Sequence, residues 1–156
     1  MATAPLRAFG HSHAHVGELV LELAELLFSN ARAQDLGDGE TLCELAMDLR
    51  EELLEHFANE EEGLFPFIRE NVPSRSDAVE RLEAAHDSIC GALVRFSYFA
   101  ARDGELPDEA RAIFERFQSA YANHSREEAD LLDELERVLT ATQHAELALL
   151  LRGLHA

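Results

Sequence analysis

The chain has 156 residues, enough for one domain with a sizeable core and too few for two ordinary ones. Its 31 acidic residues outweigh 13 basic ones, all of them Arg, and a formal net charge of -18 disfavours nucleic acid and anionic membrane surfaces, which are themselves negative. That field does not disfavour a cationic metal.

Apolar residues at Leu19, Leu23, Leu26 and Leu27, flanked by Val16 and Val20, recur every three to four positions and predict a first helix from about His11 to Arg32. Asp35 to Gly39 is a polar break, and Thr41 with Glu44 three residues later reads as a capping box. A second helix follows on the stripe Leu42, Leu45, Leu49, Leu53, His56, Glu60 and Leu64, until Pro66 disturbs or ends it. After a loop with Pro73, Ser76 is the expected N-cap of a third helix reaching about Arg102, with Val79, Leu82, His86, Ile89, Leu93 and Phe96 on its inner face. Asp103, Gly104 and Pro107 break the pattern again. A fourth helix runs from about Asp108 to Leu139 on Ile113, Phe117, Ala120, His124, Glu128, Leu131 and Leu135, and a short tail helix occupies about residues 142–152. Four long amphipathic helices with short connections predict an all-α fold, an antiparallel up-and-down four-helix bundle with a short C-terminal fifth helix. Residues 1–156 are read as a single domain, with the bundle core at about 11–139.

Cys43 and Cys90 form no Cys-x-x-Cys pair, so neither a disulfide framework nor a thiolate zinc site is indicated. Met1 to Arg7 holds no apolar run of the signal-peptide kind, and nothing approaches the roughly 20 apolar residues of a membrane span. A cytoplasmic protein is expected.

The polar residues that interrupt the apolar stripes carry the chemistry. His56 and Glu60, and again His124 and Glu128, are four residues apart, so each pair lies on one face of its helix. His86 faces inward on the third helix, and His11, His13 and His15 cluster near the start of the first. In an antiparallel bundle these positions meet at one level, with His15 inward if the neighbouring apolar stripe is. Four imidazoles and two carboxylates would then converge. Burying such groups without partners would cost a few kcal/mol each. Carboxylates bridge two cations and imidazoles cap them, which suits a pair of first-row metal ions roughly 3.5 to 4 Å apart. Too few donors to fill two octahedra favour iron with positions open to a small molecule.

The order His, His-x-x-x-Glu, His, His-x-x-x-Glu, with His56-Phe57, Glu60-Glu61 and Leu64-Phe65-Pro66 around the first pair, resembles the hemerythrin-like (HHE cation-binding) family from about His11 to Leu139. The resemblance implies a four-helix bundle with two non-haem irons joined by an oxo or hydroxo bridge, in a protein that carries, stores or senses oxygen, senses iron, or acts on peroxide or nitric oxide. It makes Glu60 and Glu128 the bridging ligands and His15, His56, His86 and His124 the terminal ones. The chain departs from the oxygen carriers in two respects. The positions one turn either side of His86 are Leu82 and Cys90 rather than a second histidine, and Glu128 follows His124 by four residues rather than five. The missing ligand favours redox chemistry or sensing over carriage, with His11 or, less readily, Cys90 as its substitute. His13 reads as a surface residue, and His144 and His155 as structural or disordered. Tyr121 is a candidate to line the pocket, and Glu22 and Glu52 are candidate acceptors for ligand imidazoles.

A ferritin-like site needs two Glu-x-x-His motifs, and Glu83 to His86 is the single inner candidate. The expected function is therefore binding of, or reaction with, oxygen, peroxide or nitric oxide at a di-iron centre. An iron- or oxygen-responsive module acting through a protein partner without turnover is the alternative.

Overall fold

The computed structural model describes residues 4–28, 39–102 and 106–153, with side chains described for 14–28, 41–102 and 106–151. His11, His13 and His155, the break after Asp35, and Asp103 and Gly104 therefore lie, in side chain or entirely, outside the described residues. Among those described there is no strand. The helices are α1 (Ala4–Phe28), α2 (Gly39–Asn59), α3 (Phe65–Asn71), α4 (Ser76–Ala100), α5 (Asp108–Val138) and α6 (Ala141–Gly153).

α4 and α5 bury the stripes that their sequences prescribe. On α4 the buried positions are Val79, Leu82, His86, Ile89, Leu93, Phe96 and Ala100, an alternation of three and four that keeps one face inward. On α5 they run from Ala110 and Ile113 through Phe117, Tyr121, His124 and Glu128 to Leu131 and Leu135. α1 packs on α2, α2 on α4, α4 on α5, and α5 back on α1.

Three boundaries differ from the sequence expectation. The second helix does not stop at Pro66. A π turn at Glu60–Leu64, in which the Phe65 amide bonds back to the Glu60 carbonyl, carries it into α3 as far as Asn71. Pro66 sits in the first turn of α3, where its missing N–H is tolerated. α2 already begins at Gly39, so Thr41 lies within its first turn. Ser76 is the first residue of α4 rather than its cap, because a 3-10 turn at Pro73–Arg75 leads into the helix. A capping box does start α6: the Gln143 amide donates to Thr140 Oγ1 at 3.2 Å, and the Thr140 amide donates to Gln143 Oε1 at 3.0 Å.

The apolar interior is divided. One cluster joins Val16, Val20, Leu23 and Leu27 of α1 to Leu49, Leu53 and Phe57 of α2, to Ile89, Leu93 and Phe96 of α4, and to Phe114 and Phe117 of α5. The other gathers Leu64, Phe65 and Ile68 with Val79, Leu82, Leu131 and Leu135, closed by Leu147 and Leu151 of α6. The buried polar residues fall between the two in every helix that carries them: His56 and Glu60 between Leu53 and Leu64, His86 between Leu82 and Ile89, His124 and Glu128 between Tyr121 and Leu131. Each fully buried Leu or Phe stabilises by roughly 1.5–3 kcal/mol. Enclosing charged groups costs several kcal/mol per ion, so two flanking apolar clusters are what carry a polar layer of this kind.

Candidate metal centre

Five side chains meet in that layer, all nearly inaccessible: His56 1%, Glu60 0%, His86 2%, His124 2% and Glu128 0% exposed. The four-residue spacing works as helical geometry demands. His56 Nε2 is 2.7 Å from Glu60 Oε1 on α2 and the π turn, and His124 Nε2 is 3.1 Å from Glu128 Oε2 on α5.

The carboxylates face two ways. Glu60 turns Oε1 to His56, and Oε2 to His86 Nε2 at 2.7 Å and to His124 Nε2 at 3.8 Å. Glu128 turns Oε1 to His56 Nε2 at 3.8 Å and Oε2 to His124. The ligand atoms therefore form two overlapping groups, Glu60 with His86 and His124, and Glu60 with His56 and Glu128, each lying within 4.8 Å.

The electrostatics point the same way. Burial first, then the neighbouring Glu128, hold the Glu60 carboxyl well above its usual range. Burial lowers the pKa of His86, with Glu61 opposing the shift, so its neutral form, the one that ligates metal, is favoured. A cation among these oxygens and neutral imidazole nitrogens would offset the repulsion between the carboxylates, and the nitrogen and oxygen donor set without a thiolate suits a first-row transition metal. The residues present thus fit a metal centre.

His86 is also held mechanically. Its ring stacks on Phe57 with centroids 3.6 Å apart and lies 5.5 Å from Phe65, and its Nδ1 is 2.9 Å from Glu61 Oε1. Sequence periodicity did not mark Glu61, since an unbroken α-helix would not direct adjacent residues to one imidazole. The available signal was the Glu60-Glu61-Glu62-Gly63 run before Pro66, where the π turn forms.

His15 is not brought together with the other five. Its side chain is 53% exposed, with Nε2 3.5 Å from Glu52 Oε1 and Nδ1 3.9 Å from Glu18 Oε2. The reason is rotational: α1 turns Val16, Val20, Leu23 and Leu27 inward, which leaves position 15 at the edge. Glu52 accordingly faces His15 and Glu22 is exposed, while Glu83 pairs with Arg69 at 2.6 Å. Cys43 and Cys90 are free thiols and belong to neither ligand group. Tyr121 is buried one turn before His124 and stacks with Phe117 at 6.2 Å.

The fold and this layer define a class, an all-helical protein whose buried His/Glu cluster is built to bind metal. A family model, the hemerythrin HHE cation binding domain, matches residues 4–135, and the chain belongs to that family. Comparison with curated proteins and with solved structures returned no match. No helix among the described residues is long and apolar enough to cross a membrane.

Proposed function

We propose that the chain is a non-haem di-iron protein, an antiparallel four-helix bundle that binds or reacts with oxygen, peroxide or nitric oxide at a carboxylate-bridged pair of irons. The observation that carries this reading is the two-sided presentation of Glu60 and Glu128, each with one oxygen toward His56 and the other toward His124. Two carboxylates spanning two sets of imidazoles suit two cations better than one. On this reading His86 and His124 serve one iron and His56 the other, with Glu60 and Glu128 between them. Bound iron supplies redox and Lewis-acid chemistry, and a donor set this small leaves positions for a diatomic or peroxide ligand. The protein's share is to hold the imidazoles, exclude bulk water with the apolar clusters on both sides, and keep the buried Tyr121 hydroxyl protonated as a hydrogen-bond donor.

Among the described residues one side of the layer presents a single imidazole, His56, and α1 is the long helix that could add another. His15 was the expected donor, with His11 four residues earlier on the same edge of the helix. Iron content that falls in His15→Ala supports His15 as that donor, and iron content that falls in His11→Ala alone supports His11.

Iron-loaded protein should contain about two irons per chain and absorb in the near ultraviolet through ligand-to-metal charge transfer. Failure to take up iron would sink the proposal. Adding oxygen, peroxide and nitric oxide in turn to the reduced protein assigns the role: a reversible oxygen adduct supports carriage, and rapid loss of peroxide supports an enzyme. The regulatory reading draws on the burial of Glu60 beside Glu128, which makes fold stability depend on metal occupancy. It predicts a stability change with iron and no turnover of any of the three.

A further inference from the structure

Glu60 and Glu61 are consecutive, yet they contact opposite nitrogens of the same imidazole. Glu60 Oε2 is 2.7 Å from His86 Nε2 and Glu61 Oε1 is 2.9 Å from His86 Nδ1. Consecutive residues of an α-helix project about 100° apart, and here the chain enters a π turn at Glu60, which re-aims the side chains that follow. The burial of the two carboxylates is as different as their roles: Glu60 is 0% exposed and Glu61 45%. Phe57 and Phe65 pack along the ring and restrict its tilt, but flat apolar contacts do not choose between its two tautomers.

The geometry points to Glu61 as the positioning residue of the centre, accepting a hydrogen bond from His86 Nδ1–H so that the Nε2 lone pair is directed at the metal beside Glu60. This inference rests on the metal-binding reading above and adds to it a residue that touches no metal. An outer carboxylate on a ligand imidazole fixes its tautomer and raises its basicity, and its loss typically costs roughly 10- to 100-fold in metal affinity. Glu61 reaches solvent, so it can be replaced without opening a cavity.

The test uses the full chain with Glu61→Ala, Glu61→Gln and, as a control for loss of one nearby negative charge, Glu62→Ala. Anaerobic ferrous iron is titrated against a ferrous chelator, and the His86 tautomer is read in the metal-free protein from imidazole nitrogen–proton correlations by NMR. Glu61→Ala is expected to weaken iron binding by roughly 10- to 100-fold and to lose the Nδ1–H tautomer. Glu61→Gln, which retains an acceptor oxygen, should recover part of both, and Glu62→Ala should match wild type. Wild-type affinity in Glu61→Ala, or an equal loss in Glu62→Ala, would overturn the assignment. If wild type binds no iron, the di-iron reading fails by itself, and the tautomer measurement still decides whether Glu61 orients His86. Far-ultraviolet circular dichroism identifies a variant that has not folded, in which case Glu61→Gln carries the comparison.

Discussion

Glu60 and Glu128 approach each other from the π turn and α5 with no solvent exposure, and burial first, then this proximity, holds the Glu60 carboxyl well above its usual range. Two carboxylates in a dry layer repel one another when both are ionised. The arrangement makes sense when cations are bound, and it sets the metal-free protein's behaviour.

Glu60→Gln keeps the side-chain volume and removes a group that must either bury a charge or take up a proton on folding. We expect metal uptake to be lost while the metal-free protein becomes more stable, by about 1 kcal/mol or more, as measured by urea unfolding. A variant both metal-free and less stable than wild type would show that Glu60 supports the fold by itself.

Because the Glu60 carboxyl is protonated well above the pH at which carboxyls normally ionise, metal must displace its proton. Binding at mildly acidic pH, just above the ordinary carboxylate range, should therefore release protons. Calorimetric titration in buffers of differing ionisation enthalpy reads their number, and an observed heat independent of buffer would contradict the assignment.

Burial, followed by Glu128 and Glu60, pushes the Tyr121 phenol up to about 12 from its ordinary 10.0, with Ser125 partly offsetting the shift. A folded-state value raised in this way stabilises the fold fully below the unfolded value. That contribution disappears as pH rises from about 10 to about 12, because only the unfolded chain ionises there. Metal-free Tyr98→Phe protein, left with Tyr121 as its one tyrosine, should show phenolate absorbance only near the upper limit. It should lose up to about 3 kcal/mol across the window, relative to a variant that also carries Tyr121→Phe. Phenolate appearing near pH 10 in the folded protein would count against the buried placement.

Thr140→Ala removes one half of the box that starts α6. A loss of about 1 kcal/mol is expected, and iron content should not change, because α6 contributes Leu147 and Leu151 to the apolar cluster and no ligand to the site. Thermal unfolding with parallel metal analysis checks both.

Much of the architecture was legible in the residues. Periodicity located the four long helices, and the five polar positions on their inner stripes, His56, Glu60, His86, His124 and Glu128, are the five that the structure buries together. These positions were readable because a polar residue on an otherwise apolar stripe must be buried with its neighbours. Position 15, whose side chain stands apart from these five, was not decided by the sequence for a related reason. On α1 the stripe Leu19 and Leu23 extends back to His15, while Val16, Val20, Leu23 and Leu27 form a second, overlapping stripe. A helix that is apolar over so wide an arc does not specify its own rotation.

The sequence by itself thus determined the helices, the two His-x-x-x-Glu pairs and the lone His86, since each is a local consequence of 3.6-residue periodicity. Only the tertiary structure decided how α1 turns, where the π turn falls, that Glu61 reaches the far nitrogen of His86, and that both buried carboxylates face two ways. Those features depend on how one helix is rotated and set against another. That is settled by side chains interlocking across the core, and no single helix records it.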